Sequence, residues 1–261
     1  MRRTTRKRLN LAVLYGVFVV AVVALVLLAD WEAISKNFFD WEVAKGLWPE
    51  IVTIGAKNTV VFTLISFFGG LALAVVLALM RLSPVGPYRW MATAYIEFFR
   101  GLPALLVIVA FGLAIPIAFS WQPPGGFVGA GIAALIVVSS AYMAETLRAG
   151  IQAVPKGQTE AARSLGMSAG RTTVSIVLPQ AFRIVIPPLT NEFVLLIKDT
   201  SLLALIGVAF ADRELTTFAR DAVVSTTNST PLIAAAVMYL VITLPLTQLV
   251  SALERRQQRA R

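Results

Sequence analysis

Apolar residues run through this chain in blocks about as long as a bilayer-crossing helix, separated by short stretches where polar and charged residues gather. A first run, Leu9 to Ala29, and a second, about Asn58 to Met80, contain no charged residue. The third, about Met91 to Phe119, carries Glu97, Arg100 and Pro103 at its beginning, where Arg100-Gly101-x-Pro103 predicts a kink that re-aims the helix. The fourth covers about Val128 to Leu147, the fifth about Ala181 to Val208 and the sixth about Pro231 to Leu253. Crossing a hydrocarbon slab of about 30 Å takes roughly 20 helical residues, so each run predicts a transmembrane helix. The pattern predicts an all-α integral membrane protein: a basic tail (1–8), an N-terminal membrane helix (9–29), an outer loop (30–57), a membrane core (58–253) and a second basic tail (254–261). No internal repeat or low-complexity tract divides it further.

Composition agrees with a bilayer home. Hydrophobic residues make up 57% of the chain and charged residues 14%, and the mean hydropathy is +0.78, more apolar than a soluble core of this length can hide. The first run follows Arg2, Arg3, Arg6, Lys7 and Arg8 as a signal peptide would, but it is too long, and Leu27-Leu28-Ala29 lacks a small-x-small cleavage pattern, so an uncleaved helix is expected. Threaded with the N-terminus inside, the segments 1–8, 81–90, 148–180 and 254–261 hold 15 Lys and Arg against two acids. The opposite segments, 30–57, 120–127 and 209–230, hold 5 basic residues and 8 acids. That asymmetry predicts cytoplasmic termini, and it accounts for the net charge of +9 without a nucleic-acid partner. With no His and no Cys the chain offers no imidazole or thiolate metal site, no cysteine nucleophile and no disulfide. It also has no Gly-x-x-x-x-Gly-Lys-Ser/Thr loop to cradle a nucleotide. A catalytic role is not expected, and neither a metal nor a cofactor is expected in this chain.

One polar island interrupts the hydrocarbon. Glu160 to Gln180, "EAARSLGMSAGRTTVSIVLPQ", is charged, alanine-rich and helix-prone. Pro155 and Gly157 are expected to break the preceding helix, Thr159 to cap a short one, and Gly166 to end it. A second short helix is expected from Ser168 towards Leu178-Pro179, with Ala161, Ala162 and Leu165 projecting as a knob and Arg163 and Arg171 on its rim. The residues alone leave two readings open: a plug for a partner's socket, or an interfacial loop lying on headgroups.

Charges at membrane depth are costly, about 3 kcal/mol each when unpaired and dry, so each needs an account. Glu97 with Arg100, and Glu145 with Arg148, stand three apart and predict local ion pairs at helix ends. The fifth run carries Asn191, Glu192, Lys198, Asp199, Thr200 and Ser201. Glu192 and Asp199 are seven apart and share a face, while Lys198 points elsewhere. This set, with Tyr142 and Glu145 of the fourth run, is the candidate translocation path, and an interhelical ion-pair network is the alternative. Pro187-Pro188 are expected to interrupt the helix just before it. In the outer loop, Ile34, Phe38 and Trp41 form a stripe, with Trp31 and Trp48 nearby, expected to lie flat in the headgroup layer.

Glu160-Ala161-Ala162, Gly166 four positions on, and Ile176-x-Leu178-Pro179 together resemble the EAA motif of ABC-importer permeases. "YIEFFRGLP" (95–103), "SSAYMAETLRAGI" (139–151), "VPKGQTEAARSLGMS" (154–168), "LPQAFRIVIPPLTNEF" (178–193) and "KDTSLLALIGV" (198–208) resemble its polar amino acid branch, from about Asn58 to the C-terminus. The helix at 9–29 and the loop after it depart from the smaller members. The resemblance implies a type I importer permease fold in a bacterial cytoplasmic membrane, without enzymatic activity. It further implies a second permease subunit, two ATPase subunits that bind ATP-Mg, an extracytoplasmic solute-binding protein and an amino acid substrate. Segment 154–180, with Gly157, Glu160, Ala161, Ala162, Arg163, Leu165 and Gly166, would be the ATPase-coupling site, Gly166 acting as the hinge where a side chain would clash or straighten the bend. An ion-gradient-driven secondary amino acid transporter is the runner-up from the buried carboxylates.

Overall fold

The computed structural model describes residues 3–259, with side-chain surroundings for residues 10–255. Every regular element among them is helical. Helix α1 (Arg3–Leu28) takes in most of the expected basic tail; Met1 and Arg2 lie outside the described residues. Asp30 and Asp40 cap two short helices, α2 (Trp31–Phe38) and α3 (Trp41–Gly46), by accepting hydrogen bonds from the first-turn N–H groups. The expected aromatic stripe is therefore split at Asp40, and Trp41 starts a new helix. A π-helical turn (Ile51–Ala56) leads into α4 (Lys57–Leu82), so the second span reaches back into the expected outer loop.

The third run is not one span with a kink. Helix α5 (Gly86–Gly101) and helix α6 (Ala104–Val109) meet at Leu102-Pro103 with a bend of 103° between the two parts. Pro103 has no N–H to continue the ladder and holds Leu102 extended, at φ −98° and ψ 141°. The second part continues through a π turn (Ala110–Ala114) into α7 (Ile115–Phe119). Glu97 and Arg100 thus belong to α5, an amphipathic helix of its own.

Helix α8 (Gly126–Gln152) is the fourth span and packs along α4. Gly70 makes that closeness possible: a Cβ there would strike the Ser139 hydroxyl and stand 2.9 Å from Met143 Cε. Ala74, Leu77, Ala134, Leu135, Val138 and Met143 fill the seam. After α9 (Lys156–Ser164) the chain makes one further turn, α10 (Ala169–Thr172), and a π turn (Thr173–Val177). It continues without stopping into α11 (Leu178–Asp199). The second short helix expected to end near Pro179 is therefore the foot of the fifth span. Pro116 and Pro179 each follow a π turn, whose wider ladder relieves the proline ring's clash with the preceding carbonyl. Pro187 and Pro188, expected to break the helix, sit inside α11 with α-helical structure on both sides. The change of geometry comes later, in a 3-10 segment (Thr200–Leu205). Helix α12 (Leu215–Thr226) and α13 (Thr230–Arg259) complete the chain; Ala260 and Arg261 of the expected second tail lie outside the described residues. Among the described residues five stretches are long and apolar enough to span, and a sixth is reached when the bent α5–α7 unit is counted as one span.

Candidate functional site

Three groups of residues carry the polar chemistry. The first is α9 and the turn after it. Pro155 opens the helix, correcting Thr159 as the cap, and Gly157 lies inside its first turn. Glu160, Ala161 and Arg163 are exposed, and Leu165 is 85% exposed. Ala162, expected in the projecting knob, is the helix's buried residue, and α9 leans on the π turn Thr173–Val177. The knob is therefore Ala161 and Leu165. Gly166 adopts φ +82°; its N–H donates to the Arg163 carbonyl (3.0 Å), and the Met167 N–H donates to the Ala162 carbonyl (3.1 Å). These two bonds form a Schellman closure, which requires a left-handed residue at this position. Among the described residues nothing beyond its chain neighbours lies within 4 Å of where a Cβ on Gly166 would stand, so the demand is on backbone sign and no clash arises. The Arg163 guanidinium closes the turn on the Met167 carbonyl at 2.6 Å, and Ser168 caps the next turn.

The second group lies where α4, α5 and α8 end together. Arg81 donates to Glu145 (2.8 Å) and to Glu97 (3.2 Å), and Arg148 donates to Glu145 (Nε to Oε2, 3.0 Å) and to Gln152. The expected Glu145–Arg148 pair is present, but among the described residues no ion pair joins Glu97 to Arg100. Both stand on α5, but Glu97 turns to Arg81, while the Arg100 guanidinium stands 5.8 Å from the Tyr142 ring centre. In the sequence Arg81 counts only among the charges of segment 81–90; the signal for its role is a lone arginine closing an uncharged run. The network ends at Gln152, the last residue of α8, four positions before α9 begins.

The third group lines a cavity of about 250 Å³ between α6, α8 and α11. Tyr142, Glu192 and Asp199 face it with Ser139, against an apolar wall of Ala104, Leu135, Val138, Leu195 and Leu196. The structure thus brings Glu192 and Asp199 onto one face with Tyr142. It does not bring Glu145, which belongs to the ion network, nor Lys198 and Asn191, which are exposed on other faces of α11. Ser201 is half-buried in the 3-10 segment. The cavity offers two carboxylates and two hydroxyls, with no cationic side chain in its lining.

The model of binding-protein-dependent transport system inner membrane components matches residues 70–259, which includes all three groups. The chain belongs to that family. A probable glutamine ABC transporter permease protein, GlnM, of Bacillus subtilis (strain 168) is 40% identical over 208 residues, covering 79% of this chain and 93% of its own. The arginine transport system permease protein ArtQ of the same organism is 37% identical over 213 residues, covering 80% of this chain and 94% of its own. A crystal structure of an amino acid ABC transporter with histidines superimposes with a TM-score of 0.75 at 34% identity, over 83% of this chain and 98% of that one. The inner membrane component is a multi-pass, non-catalytic subunit; ATP hydrolysis belongs to separate ATPase subunits, and solute-binding partners work with it.

Proposed function

We propose that this permease subunit imports amino acids of the glutamate, glutamine and basic class across a bacterial cytoplasmic membrane, driven by two partner ATP-binding-cassette subunits that hold ATP-Mg. A second permease subunit, a copy or a relative, completes the path, and a solute-binding protein delivers substrate from outside. The observation that carries this reading is the α9 turn: a short helix closed by Gly166, with Leu165 almost fully exposed and unused by the chain's own packing. A large apolar side chain held out on a stiff turn is the shape a partner's groove takes. The asymmetry of basic residues supports a cytoplasmic position for this turn and for both termini.

Closure of the cassettes would move α9, and α9 is joined to α8 through Val154-Pro155 and to α11 through the π turn. Those two helices form the walls of the Glu192–Asp199 cavity, so their displacement changes access to it. A volume of about 250 Å³ lies just below the ~300 Å³ where drug-sized pockets begin, which suits one free amino acid. The paired carboxylates accept its ammonium, or a cationic side chain, and the Ser139 and Tyr142 hydroxyls, held by long 3.4 Å bonds to the Ile136 and Arg100 carbonyls, are the nearest side-chain hydroxyls. The parentage of the relatives, which are named for glutamine and arginine, supports the class. The test is uptake by the assembled complex in proteoliposomes: labelled glutamine or arginine should enter only with ATP and binding protein. Uptake by this chain alone under an ion gradient would replace the reading with a secondary transporter.

A further inference from the structure

Glu214 is fully buried, and it has no basic partner among the ion pairs of the described residues. Its carboxylate is instead surrounded by donors: Thr217 N–H and hydroxyl on one oxygen, both at 2.6 Å, and Thr216 N–H (2.6 Å) and the Tyr239 hydroxyl (3.1 Å) on the other. Three of these come from the first turn of α12, which Glu214 caps, and the fourth comes from α13. The remaining first-turn N–H, of Leu215, donates to Thr59 of α4 at 3.1 Å. Burial pushes the Glu214 carboxyl above its ordinary value while the four hydrogen bonds pull it back. A helix cap needs an acceptor for the N–H groups only. The bond to Tyr239 is additional, and it ties α12 to another element.

That element packs along α11, whose end carries the cavity residue Asp199. The Tyr239 hydroxyl also meets the Thr216 hydroxyl of α12 at 3.1 Å. On its other side α12 grips the 3-10 segment that follows Asp199, because the Arg220 guanidinium donates to the Ala204 carbonyl. Asn58 holds the chain leading into α12 by donating to the Ala211 (2.8 Å) and Arg213 (3.1 Å) carbonyls. Towards the end of α12, Val224 and Ser225 are exposed. Thr59, at the α12 end of α4, and Arg81, near α9, are separated by about 33 Å of continuous helix, so α12 stands on the membrane face opposite the coupling turn.

We propose that Glu214 and Tyr239 are positioning residues that lock α12 to α13, so that a solute-binding protein pressing on α12 displaces the 3-10 segment that follows Asp199. This rests on the importer reading above. The locking bond joins two helices, and Arg220 holds the irregular segment to the same helix, which gives a docking event outside a rigid path inward in place of a frayed loop.

The experiment compares ATP hydrolysis by the assembled complex in nanodiscs, alone and with the co-purifying solute-binding protein loaded with glutamine or arginine. In Tyr239→Phe the α12 cap is intact and the link to α13 is gone. In Glu214→Gln one cap acceptor becomes a donor facing the Thr216 N–H. Both should keep basal hydrolysis within about twofold and lose about tenfold of the binding-protein stimulation, a typical size for coupling between sites. Stimulation equal to the unmodified complex in both variants overturns the proposal. Basal and stimulated rates falling in the same ratio in Tyr239→Phe, with a lowered Tm, also overturn it, because that marks a purely structural bond. An unmodified complex with no stimulation at all would sink the importer reading, and this proposal with it.

Discussion

At the scale of single residues, Arg81 is the side chain on which most others depend, since it neutralises Glu145 and Glu97 from a third helix. Removing one partner of a fully buried ion pair costs about 3–5 kcal/mol because a charge is left stranded. Arg81 and Glu145 keep 18% and 23% of their side-chain surface, so Arg81→Met should cost less, on the order of 2 kcal/mol, read as a lowered Tm of the purified subunit. Arg81→Lys, which keeps a cation between Glu145 and Glu97, should recover part of it, and a Tm unchanged by Arg81→Met would remove the network from the account. In the cavity, Glu192→Gln should cut substrate-dependent uptake about tenfold while assembly persists, because a charged contact to an ammonium becomes a neutral one. Unaltered uptake would reduce Glu192 to packing. The sequence showed that Glu192 and Asp199 share a face, since a spacing of seven is two helical turns. It could not show that Lys198 leaves the cavity without a cation, or that Arg81 takes Glu97 from Arg100, because partners on other helices are set by tertiary packing.

Among the elements, the turn after α9 is the most demanding. A β-branched residue at the Gly166 position would hold a left-handed conformation at a cost of about 1–2 kcal/mol. Gly166→Val should therefore leave the subunit inserted while transport-linked ATP hydrolysis by the complex is lost; hydrolysis and uptake at normal rates would contradict a coupling role. The short helix closed at Gly166, the break at Pro103 and the N-terminal helix were all legible, since proline, glycine and charge act locally. The size of the break was not, because Arg100-Gly101-x-Pro103 announces a bend without fixing its angle. Two prolines at 187–188 promised an interruption that neighbouring turns of α11 absorb. The π turns before Pro116 and Pro179 left no mark beyond the prolines themselves.

For the molecule as a whole, the account separates two ends. α9, the Gln152 end of α8 and the Arg81 network lie at one, and α12, with the α2–α3 segment tied to the start of α13, lies at the other; there Asp40 N–H donates to Thr230 and Asn228 donates to the Lys36 carbonyl. Because the chain has no cysteine, single introduced thiols report each end cleanly. Val224→Cys should react with a membrane-impermeant maleimide in intact cells, and Leu165→Cys only after permeabilisation; the reverse pattern would invert the topology read from charge. The most direct measurement places a photo-activatable thiol cross-linker on Leu165→Cys in the assembled complex in native membrane. The account predicts one dominant adduct, to an ATP-binding subunit, whose yield changes when ATP is trapped. An adduct only to lipid, or to a protein outside the cell, would contradict it.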